Sequence, residues 1–275
     1  MKIPFVKMQA LGNDFILIDC MRDQVPIHSE LIRILCDRRK GIGADQLLVL
    51  VPSEKADWRM KVFNADGGEV EMCGNGIRCL ARYLVSRGFA SGDEQKIETL
   101  AGVIRPRVEG DQVTVDMGCP MLEGKEIPVR LSGRVIDREV TVGGGRQRIT
   151  CVSMGNPHCV IYVDDLERCP VRDMGPRIET DPLFPQRVNV EFVKVISPSL
   201  ISMRVWERGA GETMACGTGA CAATVASCLN GKTQRDVTVR LPGGELRVRW
   251  ADDDHVFMSG SADEVFSGEI EVERR

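Results

Sequence analysis

Short apolar runs punctuated by Gly, Pro and Asp recur along most of the chain. Their β-branched content predicts strands. The clearest are Phe15-Ile16-Leu17-Ile18, Gln46-Leu47-Leu48-Val49-Leu50, Val113-Thr114-Val115, Cys159-Val160-Ile161-Tyr162-Val163, Val188-Asn189-Val190-Glu191-Phe192-Val193 and Leu246-Arg247-Val248-Arg249-Trp250. Helical signals are fewer. Ser29 is placed to cap a helix running to Leu35 or a little beyond. A second helix is predicted from Gly74 or Asn75 to about Ser86, with Gly88 as its stop. A third runs from Gly217 or Thr218 to Leu229 and stops at Asn230-Gly231. Strands, one main helix and more strands therefore occur twice. The pattern predicts an α+β fold of two pseudo-symmetric repeats, each a curved, mostly antiparallel sheet wrapped around a central helix.

The repetition extends to individual residues. Cys216 lies 143 residues beyond Cys73, and both precede a Gly-x-Gly. At the same offset Met60-Lys61-Val62-Phe63-Asn64 maps onto Met203-Arg204-Val205-Trp206-Glu207, Gly12-Asn13 onto Gly155-Asn156, Gln46 onto Asn189 and Glu69 onto Glu212. Gly102 and Gly244, with the strands that follow them, continue the match one residue shorter. A constant offset over separated segments implies two copies of one fold. The first domain is expected to span 1–117 plus 261–275, the last stretch returning as a final strand, and the second 118–260. Two equivalent thiols are then expected to face each other. Chemistry that needs one group on both faces of a substrate is chemistry that inverts a stereocentre.

Composition narrows the alternatives. The 275 residues are 43% apolar and 28% charged, enough for two cores. A net charge of −4, with Arg and Lys scattered, gives no reason to expect nucleic acid or an anionic membrane as partner. No stretch approaches transmembrane length and the start lacks a secretory signal, so a cytoplasmic protein is expected. The eleven cysteines form no C-x-x-C pair, and the three histidines (His28, His158, His255) are far apart, so neither a disulfide scaffold nor a metal site is expected. Cys36, Cys151 and Cys228 read as small core residues.

A cysteine just ahead of a helix that begins Gly-x-Gly sits in the partial positive charge and unpaired N–H groups of the helix start. This lowers a thiol pKa and makes a socket for a carboxylate, which glycine lets the backbone approach closely. Two such termini would grip one carboxylate, stabilise the carbanion formed at the adjacent carbon and offer a thiol to each face. No cofactor is then required, and no nucleotide fingerprint is present, since Gly41-Ile42-Gly43-Ala44-Asp45-Gln46 lacks a third glycine in register. A single motif of this kind would read as an ordinary helix start; two at matched positions favour catalysis. Asn13, Gln46 and Asn64 also fit turn or strand-end roles, as His158 fits a surface turn and Glu207-Arg208 a solvated pair. Their repeat partners Asn156, Asn189 and Glu207 raise the functional reading of the amides.

At these residues the chain resembles the diaminopimelate epimerase family over nearly its whole length. The resemblance is carried by Leu11-Gly12-Asn13-Asp14-Phe15, Gly41 to Gln46, Phe63-Asn64-Ala65-Asp66-Gly67, Met72-Cys73-Gly74-Asn75-Gly76-Ile77-Arg78-Cys79, Gly155-Asn156-Pro157-His158, Arg187 to Phe192, Trp206 to Thr213 and Ala215-Cys216-Gly217-Thr218-Gly219. It implies cofactor-independent interconversion of LL- and meso-2,6-diaminopimelate by a two-cysteine acid/base mechanism, in lysine and peptidoglycan synthesis. It also implies that Gly74, Asn75, Gly217 and Thr218 hold the reacting carboxylate, with Glu207 and His158 beside the reacting centre. Asn13, Gln46, Asn64, Asn156, Asn189 and Arg208 line the rest, Arg208 suiting the distal carboxylate. A homodimer is implied too, with Phe266 at the position where the family carries a tyrosine. Two rivals stay open at this stage. One is a proline or hydroxyproline racemase on the same fold, which needs no distal site such as Arg208, Asn64 and Asn189 provide. The other is a non-enzymatic binding or redox-sensing protein.

Overall fold

The computed structural model describes residues 1–91 and 94–272. Of the expected tail 261–275, residues 273–275 thus lie outside the described residues. The chain divides into two compact units, residues 1–115 with 260–275, and residues 116–259.

In chain order the first unit contains β1 (Lys2–Ala10), β2 (Asn13–Asp19), α1 (Ser29–Cys36), β3 (Gln46–Val51), β4 (Trp58–Asn64), β5 (Glu69–Val70), α2 (Gly74–Ser86), β6 (Ile97–Thr99), β7 (Gly102–Ile104), β8 (Arg107–Glu109) and β9 (Gln112–Asp116, its last residue past the boundary). The second contains β10 (Arg138–Val142), β11 (Gly145–Ser153), β12 (Pro157–Tyr162), α3 (Val171–Glu179), β13 (Asn189–Ser197), β14 (Leu200–Glu207), β15 (Gly211–Thr213), α4 (Gly217–Leu229), β16 (Asp236–Leu241), β17 (Gly244–Trp250) and most of β18 (Val256–Ser261). The chain then forms β19 (Asp263–Glu271), which pairs antiparallel with β1.

The first sheet runs β19-β1-β2-β3-β4-β6-β7, with β5 beside β4. In the second unit the order is β10-β11-β12-β13-β14-β16-β17-β18, with β15 beside β14. Among the described residues of the first, only β2–β3 and β4–β6 are parallel. In the second, β12–β13 and β14–β16 are parallel, and these are the same pairs displaced by one repeat. The α+β fold of repeated, mostly antiparallel sheets is thus as expected. β17 corresponds to β7 and β8 together, because Arg105-Pro106 interrupts the run in the first copy and proline cannot donate to a ladder.

Each sheet packs on its own helix, the first through β1–β4 and β19 on α2, which also meets β8, and the second through β11–β14, β16 and β17 on α4. In α4 the small residues Gly219 to Ser227 are all buried, so the sheet closes tightly on it. In α2 the apolar side chains Ile77, Leu80 and Leu84 share one face at three- and four-residue spacing and are fully buried.

Two local expectations change. The cap of α1 is His28, whose Nδ1 accepts from the Leu31 N–H at 3.3 Å, while Ser29 is the first helical residue. The helix α3 was not predicted, because Gly175-Pro176 interrupts it. Tertiary contact overrides that weak propensity: Gly175 lies against the Trp206 indole, where a side chain would clash, and Trp206 Nε1 donates to Glu179 at 2.7 Å.

Candidate active site

In both units the polar residues singled out in the sequence stand at one end of the sheet. Asn13 opens β2, Gln46 opens β3, Asn64 closes β4, and Cys73 caps α2. Since β2 and β3 are parallel and β4 runs against them, this connectivity puts all three strand ends on one edge. The second unit repeats it with Asn156 just before β12, Asn189 opening β13, Glu207 closing β14 and Cys216 capping α4. Gly12 (φ 81°) and Gly155 (φ 92°) turn the chain immediately ahead of Asn13 and Asn156, a conformation that glycine adopts without strain.

In the first unit, Cys73 Sγ accepts from the Gly76 N–H at 3.4 Å, and lies 4.0 Å from Asn13 Oδ1. Asn75 Nδ2 donates to that oxygen at 3.2 Å, while Asn13 Nδ2 donates to Asp45 Oδ2 at 2.9 Å. Behind them is an ion network: Arg38 holds Asp14 with two bonds of 2.7 and 2.8 Å and Asp45 with one of 2.7 Å, and Lys7 reaches Asp14 at 2.7 Å. Burial opposes ionisation of Asp14, but hydrogen bonds from Arg38 and Lys7 outweigh it and hold the carboxyl well below its usual range. Gln46 Nε2 donates to Asn64 Oδ1 at 2.8 Å.

In the second unit, Cys216 Sγ is 3.5 Å from Thr218 Oγ1, and Asn156 Nδ2 donates to that hydroxyl at 3.2 Å. His158 Nε2 lies 2.9 Å from Asn156 Oδ1, and its Nδ1 lies 2.7 Å from Glu191 Oε1. Asn189 Nδ2 donates to the Pro157 carbonyl at 3.0 Å, and Asn189 Oδ1 accepts from the Arg208 N–H at 2.8 Å. The Arg208 guanidinium donates to the Gln186 carbonyl at 3.0 Å, and Glu207 accepts from the Thr213 hydroxyl. Gly74 and Gly217 are the first residues of their helices, where backbone N–H groups lack intrahelical partners. Phe266 belongs to neither cluster: it lies on β19, 48% exposed, edge-on to Phe5 with ring centres 5.9 Å apart.

One electrostatic expectation is reversed. Burial pushes the Cys216 thiol well above its ordinary pKa, and the Glu207 and Glu191 charges act the same way. The Thr218 hydroxyl and Gly219 N–H oppose them without prevailing, so the helix start does not dominate. Cys36 and Cys151 are core residues, as expected, and burial pushes Cys36 up to about 11; Cys228 is half-buried. Sequence reasoning missed Glu191, Asp45 and the Lys7–Asp14–Arg38 network. Asp14 and Asp45 stood inside quoted motifs, but nothing local marks a charge as a partner for an amide.

A thiol thus stands at the start of each central helix, with amides and carboxylates around it, on a duplicated α+β fold, and the relatives of the chain are isomerases. A family model described as diaminopimelate epimerase matches residues 5–123 and 150–265. The protein named diaminopimelate epimerase from Moorella thermoacetica is 53% identical over 98% of this chain and 99% of its own length. That from Pelotomaculum thermopropionicum is 55% identical over 96% and 98%. The chain belongs to the diaminopimelate epimerase family. Among solved structures, a phenazine biosynthesis protein of the PhzF family from Bacillus anthracis shares the fold, with TM-score 0.72 and 18% identity over 99% of this chain and 100% of that one. So does a probable proline racemase from Agrobacterium radiobacter, with TM-score 0.69 and 15% identity over 98% and 93%.

Proposed function

We propose that the protein interconverts LL- and meso-2,6-diaminopimelate by moving a proton at one α-carbon between Cys73 and Cys216, as a step of lysine and peptidoglycan synthesis. The observation that carries this reading is the matched pair of clusters, each with its cysteine capping the central helix. It stands in a chain about half identical to proteins named for this reaction. One sulfur, as thiolate, takes the α-proton, and the C–H electron pair passes onto the adjacent carboxylate. The other sulfur, as thiol, returns a proton to the opposite face. The enzyme is left with its two protonation states exchanged, and the reverse reaction restores them.

The helix-start residues Gly74, Asn75, Gly217 and Thr218 hold the reacting carboxylate and stabilise the charge that develops on it. Asn13, Gln46, Asn64, Asn156 and Asn189 order the substrate, His158 and Glu207 sit near the reacting centre, and Arg208 turns from the Gln186 carbonyl to pair with the distal carboxylate. The reaction needs no cofactor. The enzyme works in the cytoplasm as a homodimer that covers Phe266 and its exposed neighbour Val265 on β19. Among the described residues no helix is long and apolar enough to cross a membrane.

The test is exchange of the α-proton of diaminopimelate in deuterated water, alongside stereochemical analysis of the product. Wild type should exchange and epimerise, while Cys73→Ala and Cys216→Ala should remain folded and lose epimerisation. Near-normal epimerisation by either variant removes that cysteine from the reaction.

A further inference from the structure

The 143-residue offset matches the residues behind one thiol with residues behind the other, and at two fully buried positions hydrocarbon in one copy is replaced by an ionisable group in the other. Behind Cys73 stand Phe15 on β2 and Leu48 on β3, both fully buried. A Cβ added to Gly76 would meet Leu48 Cδ2 at 3.0 Å and Phe15 Cε1 at 3.5 Å. The corresponding residues behind Cys216 are His158 on β12 and Glu191 on β13, each 0% exposed. A Cβ added to Gly219 would meet Glu191 Oε1 at 2.9 Å and Cys216 Sγ at 3.4 Å. The first unit demonstrates that this frame closes on hydrocarbon. A buried ionisable pair is costly to desolvate and is no aid to stability in itself, so its presence in one copy only calls for another account.

The hydrogen bonds supply it. Asn156 places its amide nitrogen on Thr218 and its carbonyl on His158 Nε2. The imidazole must therefore present a proton at Nε2. Its Nδ1 faces Glu191 Oε1, and Glu191 Oε2 has no hydrogen-bond partner among the described residues. A buried carboxylate with one bare oxygen is strongly disfavoured, whereas a pair that shares one proton between Oε1 and Nδ1 is not. Either location of that proton keeps Nε2–H as donor. The donors then run in one direction, from Glu191 through His158, Asn156 and Thr218 to the Cys216 sulfur.

We propose that Glu191, acting through His158, is a positioning residue for Cys216. It fixes the Asn156 amide and so aims the Thr218 hydroxyl proton at the sulfur, a hydrogen bond that favours the thiolate, while the proton shared with His158 leaves the pair without net charge and so offsets the opposing effect of the Glu191 carboxylate. The first unit is wired in the opposite sense. Asp45, paired with Arg38, takes the Asn13 amide nitrogen, so the Asn13 side-chain carbonyl faces Asn75 and the Cys73 sulfur, an acceptor where Cys216 meets a hydroxyl. Two sites of one ancestry thereby treat their sulfurs differently, and the difference originates in Glu191 and Asp45. The titratable groups around Glu191 are His158 and Cys159 on β12, Glu207 at the end of β14 and Cys216 at the start of α4.

The proposal rests on the reading of Cys216 as a reacting base, but its test uses no substrate, so the two fail separately. In the Cys73→Ala protein, alkylation of Cys216 by iodoacetamide is followed across pH by peptide mass mapping. Glu191→Gln still donates to His158 Nδ1 and should leave the profile nearly unchanged. Glu191→Leu removes the donor and should slow alkylation at neutral pH by roughly tenfold or more, the effect of a lost hydrogen bond to a charged sulfur. If Glu191→Leu does not fold, the double variant His158→Phe with Glu191→Leu carries the packing pair of the first unit and is read in the same way. Unchanged or faster alkylation in the Leu variants, or a Gln variant as slow as Leu, overturns the proposal.

Discussion

Replacing Gly219 by alanine tests how tightly Cys216 and Glu191 are packed, with Gly76→Ala as its internal control. The added methyl at 219 falls 2.9 Å from Glu191 Oε1, 3.3 Å from Cys216 Cβ and 3.4 Å from Cys216 Sγ. Glu191 cannot swing aside, because it is fully buried and held by His158 at 2.7 Å. Overpacking of this kind costs about 1–3 kcal/mol, and the helix preference for alanine over glycine returns about 1 kcal/mol. The net loss is about 0–2 kcal/mol, which at about 2–4 °C per kcal/mol for a unit of this size lowers the melting temperature by up to about 8 °C. The methyl at 76 meets the end of a rotatable side chain, Leu48 Cδ2 at 3.0 Å, so repacking is cheap and stability should stay near wild type. Activity should separate the two further. A shift of Glu191 and His158 displaces the Asn156–Thr218–Cys216 chain, and misplacement by about 1 Å near a reacting group lowers kcat up to about a hundredfold. The assay is thermal unfolding followed by circular dichroism, with epimerisation kinetics on the same samples. If Gly219→Ala matches wild type in both, or Gly76→Ala is the more damaging, the packing argument is wrong.

Three further outcomes are expected. Arg208→Ala keeps the backbone N–H that Asn189 accepts but loses the guanidinium, so kcat/KM for diaminopimelate should fall by the equivalent of about 2–5 kcal/mol, and an unchanged value removes Arg208 from substrate binding. The Asp14 carboxyl is held low in the folded chain, so its contribution is present above the unfolded carboxylate pKa of about 4 and is lost as pH falls below it. Asp14→Asn should therefore be less stable than wild type at neutral pH, with a gap that narrows on acidification in urea melts, whereas a gap constant with pH excludes this linkage. Phe266→Asp should shift sedimentation from dimer to monomer, and a monomeric wild type would refute the dimer.

Much of the fold was legible because its signals are local. Glycine after α2 and α4, the β-branched runs and the Cys-Gly-x-Gly starts all describe their own neighbourhoods, and those two helices begin and end where expected. What was not legible depends on distant chain. Nothing in Val171 to Glu179 reveals that Trp206 will press on Gly175, so α3 was missed. The resemblance put Asn13 and Asn156 among the site residues, but not which way each amide points, since that is decided by Asp45 and by His158 with Glu191. The helix-start argument likewise gave the wrong direction for the Cys216 thiol. It counted the helix start and could not count the burial that outweighs it.

Glu191 shows how periodicity can mislead and how duplication corrects it. In Asn189-Val190-Glu191-Phe192 the polar residues alternate with apolar ones, the usual sign of a strand with one wet face. By that rule Glu191 points to solvent. Yet Asn189 to Val193 are all buried, because the strand is covered on both faces: Val190 and Phe192 join one apolar core while Glu191 turns towards the start of α4. The first copy contained the warning. Its counterpart strand reads Gln46-Leu47-Leu48-Val49-Leu50, with no alternation, which is the pattern of a strand buried on both sides. Leu48 occupies the position of Glu191, so overlaying the two copies predicts a buried carboxyl group. A buried carboxyl group in turn demands a partner, and the same overlay supplies it, because His158 occupies the position of Phe15. In a duplicated chain, a polar residue that replaces hydrocarbon in the other copy is therefore a better guide to function than its own local pattern.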